Sequence, residues 1–557
     1  MQYWGWLDSA FIVLISTYLV LAPYSKVEES FSLQAVYDML NHGYADLELY
    51  DHKTFEGAVP RSFFGPLLIS VIVKPIKPLL DKYYPDPTEL NLQLLVRGVI
   101  GLTNGLSLIR LRRSLAASCA LNSKYISVWF AVLQYSQFHI VYYASRSLPN
   151  FLALPFVNHA LAYIVKGEFV PGVTWMCFTG VVMRLEVGLY GCCFALMSVL
   201  LGQSSLITTL GGMVAGSLVG LGTTLFVDSY FWGHLEFPEL TAFIYNVVEG
   251  NSQNWGVEPF SAYFFKYSRA LFFPPIVPIM LVKGLTKDPS QNGKGNTIRT
   301  ICISSLLFVF VMSFQAHKEW RFIIYAVPAL TVVGANGADL VVSQFGSSIP
   351  NRLLSLLAFV LPVVSLGTSL FMGYVSSFNY PGGVALANLN ERLLKLDQTA
   401  GLIQQEITVH MDIPACMTGI TLFGQLKPES LTNFKVNYDK NENRTQLLET
   451  ATWEDYNYVI TDLDSEADNQ YLPKALVDTK LKDVPGCNWY KVDVVQMFAG
   501  VQVAPFVEYA KEIANDGFQL CEDIISLDTT NIKKVLDDSI ILKDALYVYE
   551  KVCNDVI

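Results

Sequence analysis

The sequence predicts an α-helical polytopic membrane protein with a polar α/β domain at its C-terminal end. Composition predicts the membrane class, because 52% of the 557 residues are hydrophobic and only 16% are charged, whereas a soluble domain carries about 25% charged residues. Charge distribution predicts the second domain. Residues 375–557 contain 15 basic and 28 acidic side chains, against 23 basic and 21 acidic in residues 1–374. We therefore expect a membrane region at 1–374 and a soluble domain at 375–557.

Apolar segments of the first region are the candidate transmembrane helices. An untilted helix needs about 20 residues to cross a bilayer, and several of these segments are near or below that length. We expect about 11 spans, at residues 8–23, 93–109, 124–143, 150–165, 168–183, 188–203, 205–227, 269–285, 300–315, 321–340 and 351–374.

Basic loops predict which side of the membrane each end occupies. Such loops favour the cytosolic side, and the clearest ones lie at 110–114 and 281–299. Alternation from them predicts a cytosolic N-terminus. It places the loop 228–268, the "HKEWRF" motif and all residues after 374 on the luminal side. The chain's only N-glycosylation sequon, which begins at Asn443, falls on that same side.

The segment 63–80 departs from this alternation. It is apolar enough to cross, but a crossing would move the basic loop 110–114 to the luminal side. Three prolines, Pro66, Pro75 and Pro78, also argue against a simple span. We interpret the segment as an interfacial or re-entrant helix within a large first luminal loop, residues 24–92. The alternative is a true crossing, with another span misassigned.

Alternating apolar runs predict a small α/β fold for the C-terminal domain. "ITVHMDI", "NYVITDLD" and "KVDVVQMF" are typical of strands, and "LPKALVDTKL" of a helix. The domain contains Cys416, Cys487, Cys521 and Cys553. One or two disulfides can form if it faces an oxidising compartment, but the spacing does not determine the pairing.

Several classes of function are disfavoured by motifs that the sequence lacks. No basic patch indicates nucleic-acid binding. No P-loop, GxGxxG, HExxH or GxSxG pattern occurs in a suitable context, so a soluble nucleotide-dependent enzyme is disfavoured. We expect the membrane region to be embedded in a lipid bilayer, which is therefore an expected partner of the protein.

Carboxylates and cations from distant loops gather on the predicted luminal side. Such a set suits sugar transfer from a lipid phosphate, because a carboxylate can deprotonate the acceptor hydroxyl and arginines can stabilise the leaving phosphate. A single base acting opposite the leaving group inverts the sugar carbon. The candidate residues are Glu28, Glu29, Asp51, Arg61, Arg146, Arg184, Glu186, Trp255, His317, Lys318, Glu319 and Arg321.

Each candidate also has a structural explanation. Glu28 and Glu29 can be solvated loop charges, and His317, Lys318, Glu319 and Arg321 can form an internal network of ion pairs. The other arginines can serve in packing or ion pairing, with Glu186 orienting Arg184. Asp51 can be a turn residue, and Trp255 can anchor the chain at the membrane interface.

Several strings resemble the C-type (GT-C) glycosyltransferases of the endoplasmic reticulum that use dolichyl-phosphate-mannose. These are "VEESF" in the first loop, where relatives commonly have Asp at the position of Glu28, "SRSLPNF" at 145–151, "RLE" at 184–186 and "HKEWRFIIYAVP" at 317–328. The resemblance implies Glu28 as the base, with Glu29 as the adjacent alternative. It implies no nucleotide, no metal and no other cofactor, and it implies residence in the endoplasmic reticulum membrane with a luminal site.

Further strings favour one branch of that family. These include "YDHKTFEGAVPRSFFGPL", "VDSYFW", "NWGVEPFSAYF", "FNYPGG" and "PACMTGITLFG". They resemble enzymes that add mannose in α-1,6 linkage to a dolichyl-diphosphate oligosaccharide with seven mannoses and two N-acetylglucosamines. A related α-1,2-mannosyltransferase, or one that acts on a glycolipid anchor, is the alternative within the class.

A transporter of polar lipids is the alternative from a different class. Transporters usually contain internal repeats and broken helices with polar groups at the membrane midplane. No clear repeat is found here, and the charges lie at one face, which favours an enzyme.

Overall fold

The computed structural model describes residues 5–118, 125–285, 295–399, 405–447, 449–464, 487–515 and 530–553. They divide into two compact units. The first falls within Met1–Pro23, Glu28–Pro85 and Asn91–Gly373, and the second within Tyr24–Val27, Asp86–Leu90 and Tyr374–Ile557. A short piece of the first loop, directly before Glu28, therefore folds with the C-terminal residues.

Helices dominate the first unit. They are α1 Trp6–Leu21, α2 Val27–Asn41, α3 Asp51–Thr54, α4 Phe64–Val73, α5 Lys77–Tyr83, α6 Leu90–Ala117, α7 Ile126–Tyr135, α8 Phe138–Val141, α9 Pro149–Ile164, α10 Phe169–Val182, α11 Leu185–Leu200, α12 Leu206–Trp232, α13 Pro238–Phe243, α14 Ser268–Leu271, α15 Ile276–Gly284, α16 Gly295–Met312, α17 Ala326–Ser343 and α18 Ile349–Ser377.

Each apolar segment expected to span the membrane contains helix. Four helices, α6, α12, α17 and α18, are long and apolar enough to cross by themselves. A fifth candidate is the pair Tyr263–Leu271 and Ile276–Gly284, which is bent by 109° at a break that contains Pro274 and Pro275, residues that interrupt a helix. The remaining segments hold shorter apolar helices, except 150–165, which holds the 16-residue helix α9. The count of about 11 spans stays a prediction.

The segment 63–80 forms two short helices, α4 and α5. Helix α4 has 10 residues, which at about 1.5 Å per residue reaches only half of the roughly 30 Å hydrocarbon core. Neither helix alone spans a bilayer, and the interfacial placement of this segment stays a prediction.

Small residues allow close helix packing in the first unit. A Cβ at Gly337 would lie 2.1 Å from the carbonyl oxygen of Met280, and one at Gly284 would lie 2.2 Å from that of Val333. Helices α15 and α17 therefore meet backbone to backbone, as is common between membrane helices. Gly180 and Gly188 do the same for α10 and α11, where a Cβ at Gly180 would be 2.4 Å from Gly188 Cα.

The second unit contains helix α19 Pro381–Thr399 and a five-stranded sheet in the order β2-β1-β3-β5-β4. The strands are β1 Gln405–Met411, β2 Phe434–Asp439, β3 Tyr458–Thr461, β4 Cys487–Val501 and β5 Ile540–Cys553. The first three are parallel to one another, whereas β5 is antiparallel to β3 and β4. Leu386, Leu389 and Leu393 recur at helical spacing and bury one face of α19 against the sheet.

Shorter elements complete the second unit. They are α20 Ile413–Met417, α21 Arg444–Leu447, α22 Thr450–Glu454 and the helices Ala504–Asn515 and Thr530–Ser539. The three strand-like strings lie on β1, β3 and β4. The helix expected at "LPKALVDTKL" lies outside the described residues. Cys487 and Cys553 face each other across β4 and β5 and form a disulfide, while Cys416 is free. Cys521 lies outside the described residues.

Candidate active site

The two adjacent carboxylates of the first loop have different surroundings. Both lie in the first turn of α2, where successive side chains point about 100° apart around the helix axis. Glu29 is buried at 2% exposure. Its Oε1 lies 3.4 Å from Nη1 of Arg146, and the Ser147 N–H donates to its Oε2 at 3.3 Å. Glu28 is exposed, and its carboxylate makes no hydrogen bond or ion pair with the residues that the structure describes.

Arg146 is committed to this buried arrangement. Its side chain is 1% exposed, donates to the hydroxyl of Tyr142 at 2.6 Å and stacks over that ring. A buried cation needs a paired anion and hydrogen bonds to offset its loss of hydration. The buried ion pair of Glu29 and Arg146 therefore brings the segment "VEESF" into contact with the segment "SRSLPNF" inside the protein.

Arg97 holds the chain just before α2, and it was missed among the candidates from sequence. Its fully buried guanidinium donates to the carbonyl oxygens of Ala22 at 2.9 Å, Pro23 at 2.5 Å and Ser145 at 3.2 Å. The sequence does contain a signal for this role, because Arg97 is the lone ionisable residue in the apolar segment 93–109. Ionisable residues within membrane segments usually have a specific partner.

Three arginines share one electrostatic environment beside Glu28. Loss of hydration, followed by repulsion from Arg184 and Arg321, lowers the pKa of Arg61 to about 10, although Glu239 and Glu28 act in the opposite direction. The Arg61 side chain is nevertheless exposed to solvent. The repulsion of Arg61 by Arg184 and Arg321 therefore identifies the three as a cationic cluster, and Glu28 acts electrostatically on Arg61.

Arg184 is paired within the cluster. Burial alone would lower its pKa, but Glu186 and Glu239 outweigh burial and raise it. Its Nε donates to Glu186 Oε1 at 2.8 Å, and the same oxygen accepts from Asn150 at 3.0 Å. Glu186 therefore orients Arg184 and ties it to the "SRSLPNF" string.

Glu239 is a carboxylate that sequence reasoning missed. It accepts the Leu185 N–H at 2.7 Å, and burial raises its pKa to about 7, although Arg184 acts to lower it. Glu239 lies in the first turn of α13 beside Pro238, and the Pro-Glu start of a helix was its only signal in sequence. It is thus a group near the arginines that titrates close to neutral pH.

Helix α12 fixes the loop that carries Arg61. The buried carboxylate of Asp228 accepts the Phe63 N–H at 2.7 Å and both of its oxygens accept from the Ser62 hydroxyl. Trp232 donates its indole N–H to the carbonyl oxygen of Arg61 at 3.1 Å. The end of α12, which carries "VDSYFW", therefore fixes the backbone of the loop "PRSFF" that contains Arg61.

The "HKEWRF" segment forms an internal network. His317 Nε2 lies 3.1 Å from Glu319 Oε1, and Arg321 Nη2 donates to that oxygen at 2.8 Å. Burial acts to raise the pKa of Glu319, but Arg321 and His317 outweigh it and lower the pKa. Lys318 is buried and donates to the carbonyl oxygens of Glu258 and Gln315. The contacts of Lys318 are those of a loop anchor, and its role in substrate binding stays a prediction.

Aromatic contacts bring this segment to the rest of the site. The Trp320 ring lies 4.6 Å from that of Tyr143 and 4.8 Å from that of His139. Trp255 is 66% exposed, and the carbonyl oxygen of the next residue, Gly256, lies 3.0 Å from His317 Nδ1. The exposed indole therefore stands beside the network and is free to contact a ligand.

Asp51 lies in a different cluster. Its backbone N–H, at the start of α3, donates to Asp38 Oδ2 at 2.9 Å, and the neighbouring His52 ring packs against Phe63 and Trp232. These contacts support the loop and do not place Asp51 beside the arginines. Across the described ranges, no group of three His, Cys, Asp or Glu side chains could hold a metal ion.

Comparison with solved structures defines the class of fold. The chain is similar to ArnT from Cupriavidus metallidurans, whose crystal structure is bound to undecaprenyl phosphate. The TM-score is 0.53 at 12% identity, and the match covers 87% of this chain and 95% of that one. The protein therefore has the fold of the GT-C membrane glycosyltransferases.

Sequence comparison defines the family. The model of the Alg9-like mannosyltransferase family matches residues 9–412, and the chain belongs to that family. It is 34% identical to the Dol-P-Man:Man(7)GlcNAc(2)-PP-Dol alpha-1,6-mannosyltransferase of Saccharomyces cerevisiae, over 99% of each chain. It is 33% identical to the probable enzyme of the same name from Schizosaccharomyces pombe, over 82% of this chain and 77% of that one.

Proposed function

We propose that the protein transfers mannose from dolichyl-phosphate-mannose, in α-1,6 linkage, onto a dolichyl-diphosphate oligosaccharide with seven mannoses and two N-acetylglucosamines. The product carries eight mannoses. Similarity to the yeast enzyme over 99% of both chains supports the choice of donor, acceptor and linkage. The single structural observation that carries the chemistry is that Glu28 is exposed and acts electrostatically on Arg61, whereas Glu29 is buried against Arg146.

Glu28 is the proposed general base. Its carboxylate takes the proton of the acceptor's 6-hydroxyl while that oxygen forms a bond to the anomeric carbon of mannose. The bond between this carbon and the phosphate oxygen breaks on the opposite face, so the configuration inverts. The electron pair of the broken bond leaves with dolichyl phosphate, and the proton stays on Glu28 until solvent removes it.

The arginines are the proposed phosphate site. Arg61 and Arg321 stabilise the negative charge that develops on the leaving phosphate, as planar guanidinium groups do for phosphate oxygens. Arg184 contributes positive charge that Glu186 orients and partly compensates. We assign the His317–Glu319 network and the exposed Trp255 to contacts with sugar rings. Arg146 and Glu29 act in this proposal as positioning residues, because both are buried.

We place the protein in the endoplasmic reticulum membrane, with about 11 crossings, a cytosolic N-terminus and a luminal C-terminal unit. The disulfide between Cys487 and Cys553 supports an oxidising compartment. Asn443, the first residue of the sequon, is exposed, which supports the same side.

The test is an assay with the purified full-length protein and both lipid-linked substrates. The expected product gains one mannose, which an α-1,6-specific mannosidase removes and an α-1,2-specific one does not. Transfer that is sensitive only to the α-1,2 enzyme would reassign the linkage. Transfer only to a glycolipid-anchor acceptor would reassign the substrate. Movement of lipid between leaflets without any transfer would favour the transporter.

A further inference from the structure

Helices α1 and α6 are clamped to each other at both ends. Arg97, near the start of α6, binds the carbonyl oxygens of Ala22 and Pro23 after the end of α1. Arg113, near the end of α6, binds the carboxylate of Asp8 near the start of α1 at 2.9 Å. The rise of an α-helix places Arg113 about 24 Å along the axis from Arg97. Because α6 is long and apolar enough to cross a bilayer, a crossing would put its two ends at opposite membrane faces, with Glu28 near the Arg97 end.

A cavity of about 530 Å³ opens at the Arg113 end of α6. One part of its lining is apolar and another part is basic. The residues concerned are Leu106, Ile109, Ala117, Arg110, Arg113 and Lys166. Arg110 and Lys166 are exposed, and the Arg110 guanidinium lies 5.7 Å from the centre of the Tyr163 ring.

Positive charge exceeds negative charge at this cavity. Asp8 is fully buried and is shared by two arginines, Arg112 and Arg113. Arg110 and Lys166 add two further cations, and Glu168, two residues beyond Lys166, is the nearest acid along that loop. The four basic and two acidic side chains leave a net charge of +2. An open cavity with this excess attracts an anion.

We propose that this cavity binds the phosphate headgroup of an anionic phospholipid, in the leaflet opposite Glu28. Arg110 and Lys166 contact the phosphate, and an acyl chain follows the apolar side. Two observations favour a lipid over a free anion. Helix α6 is long and apolar enough to span the bilayer, and Leu106, one turn before Arg110, is apolar and 43% exposed. Basic pockets between membrane helices commonly hold such headgroups.

The test is native mass spectrometry of the full-length protein in detergent, with added phosphatidylinositol or phosphatidylcholine of matched acyl chains. Wild type is expected to retain phosphatidylinositol preferentially. The double variant Arg110→Gln, Lys166→Gln is expected to bind it about 25-fold more weakly, since each basic side chain near a membrane surface contributes roughly a factor of five. Arg113 is left intact because its loss would leave Asp8 underpaired.

Two further variants separate charge from folding. Arg352→Gln removes an exposed basic residue outside the cavity and is expected to bind like wild type. Arg110→Lys with Lys166→Arg keeps both charges and is expected to retain binding. Equal lipid retention by wild type and the Gln double variant would overturn the proposal. Equal binding of phosphatidylcholine, or displacement of the lipid by millimolar inorganic phosphate, would also overturn it.

Discussion

Glu29 and Arg146 form a buried ion pair, with 3.4 Å between Glu29 Oε1 and Arg146 Nη1. The ion pair therefore gives Glu29, one of the two adjacent acids of the first loop, a structural role. Glu28, the other acid, is exposed and acts electrostatically on Arg61 of the arginine cluster. The two residues should therefore respond differently to the same substitution.

Glu28→Gln should abolish transfer while leaving folding intact. Loss of a positioned general base typically costs a factor of about 10²–10⁴ in rate. The measurement is kcat of the purified variant beside its melting temperature. A Glu28→Gln enzyme within a fewfold of wild-type kcat would contradict the assignment of the base.

Glu29→Gln should instead destabilise the protein. Removal of one partner of a buried ion pair costs about 3–5 kcal/mol, because the other charge is left uncompensated. We expect a lower melting temperature and a low yield in detergent. Arg146→Met combined with Glu29→Met should recover part of the lost stability. Unchanged stability of Glu29→Gln would show that the pair is not a structural element.

Arg61→Lys should weaken donor binding and leave acceptor binding nearly unchanged. Lysine keeps the charge but loses the planar fork that binds two phosphate oxygens, and hydrogen bonds to charged groups contribute about 1.5–3 kcal/mol. The expected result is a KM for the donor raised at least tenfold. Asp228→Ala, which frees the Ser62–Phe63 backbone, should raise the same KM although Asp228 touches no substrate. An acceptor KM that rises equally in both variants would argue against a phosphate role.

Donor binding should weaken as the pH rises through about 7, where Glu239 loses its proton. Below that pH neutral Glu239 leaves the charge of Arg184 less compensated, and above it the carboxylate competes with the phosphate. Because the folded pKa is raised from 4.5 to about 7, the stability associated with protonated Glu239 is complete below about pH 4.5 and is lost as the pH rises to about 7. Glu239→Gln should flatten the donor KM profile between pH 5 and 8. An unchanged dependence of the donor KM on pH in the Glu239→Gln variant would show that Glu239 does not control donor binding.

Gly383→Ala should disturb the chain that leads into α2. A Cβ at Gly383 would lie 2.4 Å from the Tyr24 ring, which also packs against Gly419. Overpacking of this kind typically costs 1–3 kcal/mol, and Tyr24 stands four residues before Glu28. We expect reduced kcat. Gly500→Ala, where the new Cβ would be 3.8 Å from Ile541, is the matched control. Equal activity of both variants would mean that the contact is dispensable.

Much of the helical architecture could be predicted from the sequence, because long apolar segments have few other folds open to them. Helices occur at each expected segment, and β1, β3 and β4 lie at the strings typical of strands. Strand β5 was not predicted, since its run "IILKDALYVYE" does not alternate cleanly along its length.

The site could be predicted only as a set of loops. Sequence placed Glu28 and Glu29 side by side, and their difference depends on Arg146, more than a hundred residues away. Arg97 and Glu239 likewise act through partners that are distant in the chain. The integration of Tyr24–Val27 into the second unit depends on the glycines of "FNYPGG" and "PACMTGITLFG", whose closeness no local pattern indicates.

The most direct test of the account is a profile of lipid-linked oligosaccharides in cells that lack the α-1,6-mannosyltransferase. These cells would express the wild-type chain, Glu28→Gln or Glu48→Gln, the last being an exposed acid of the same loop. The account predicts that wild type and Glu48→Gln convert the seven-mannose species to the eight-mannose species. It also predicts that Glu28→Gln, inserted at equal level, leaves the seven-mannose species unchanged. Persistence of that species with the wild-type chain, or full conversion by Glu28→Gln, would contradict the account.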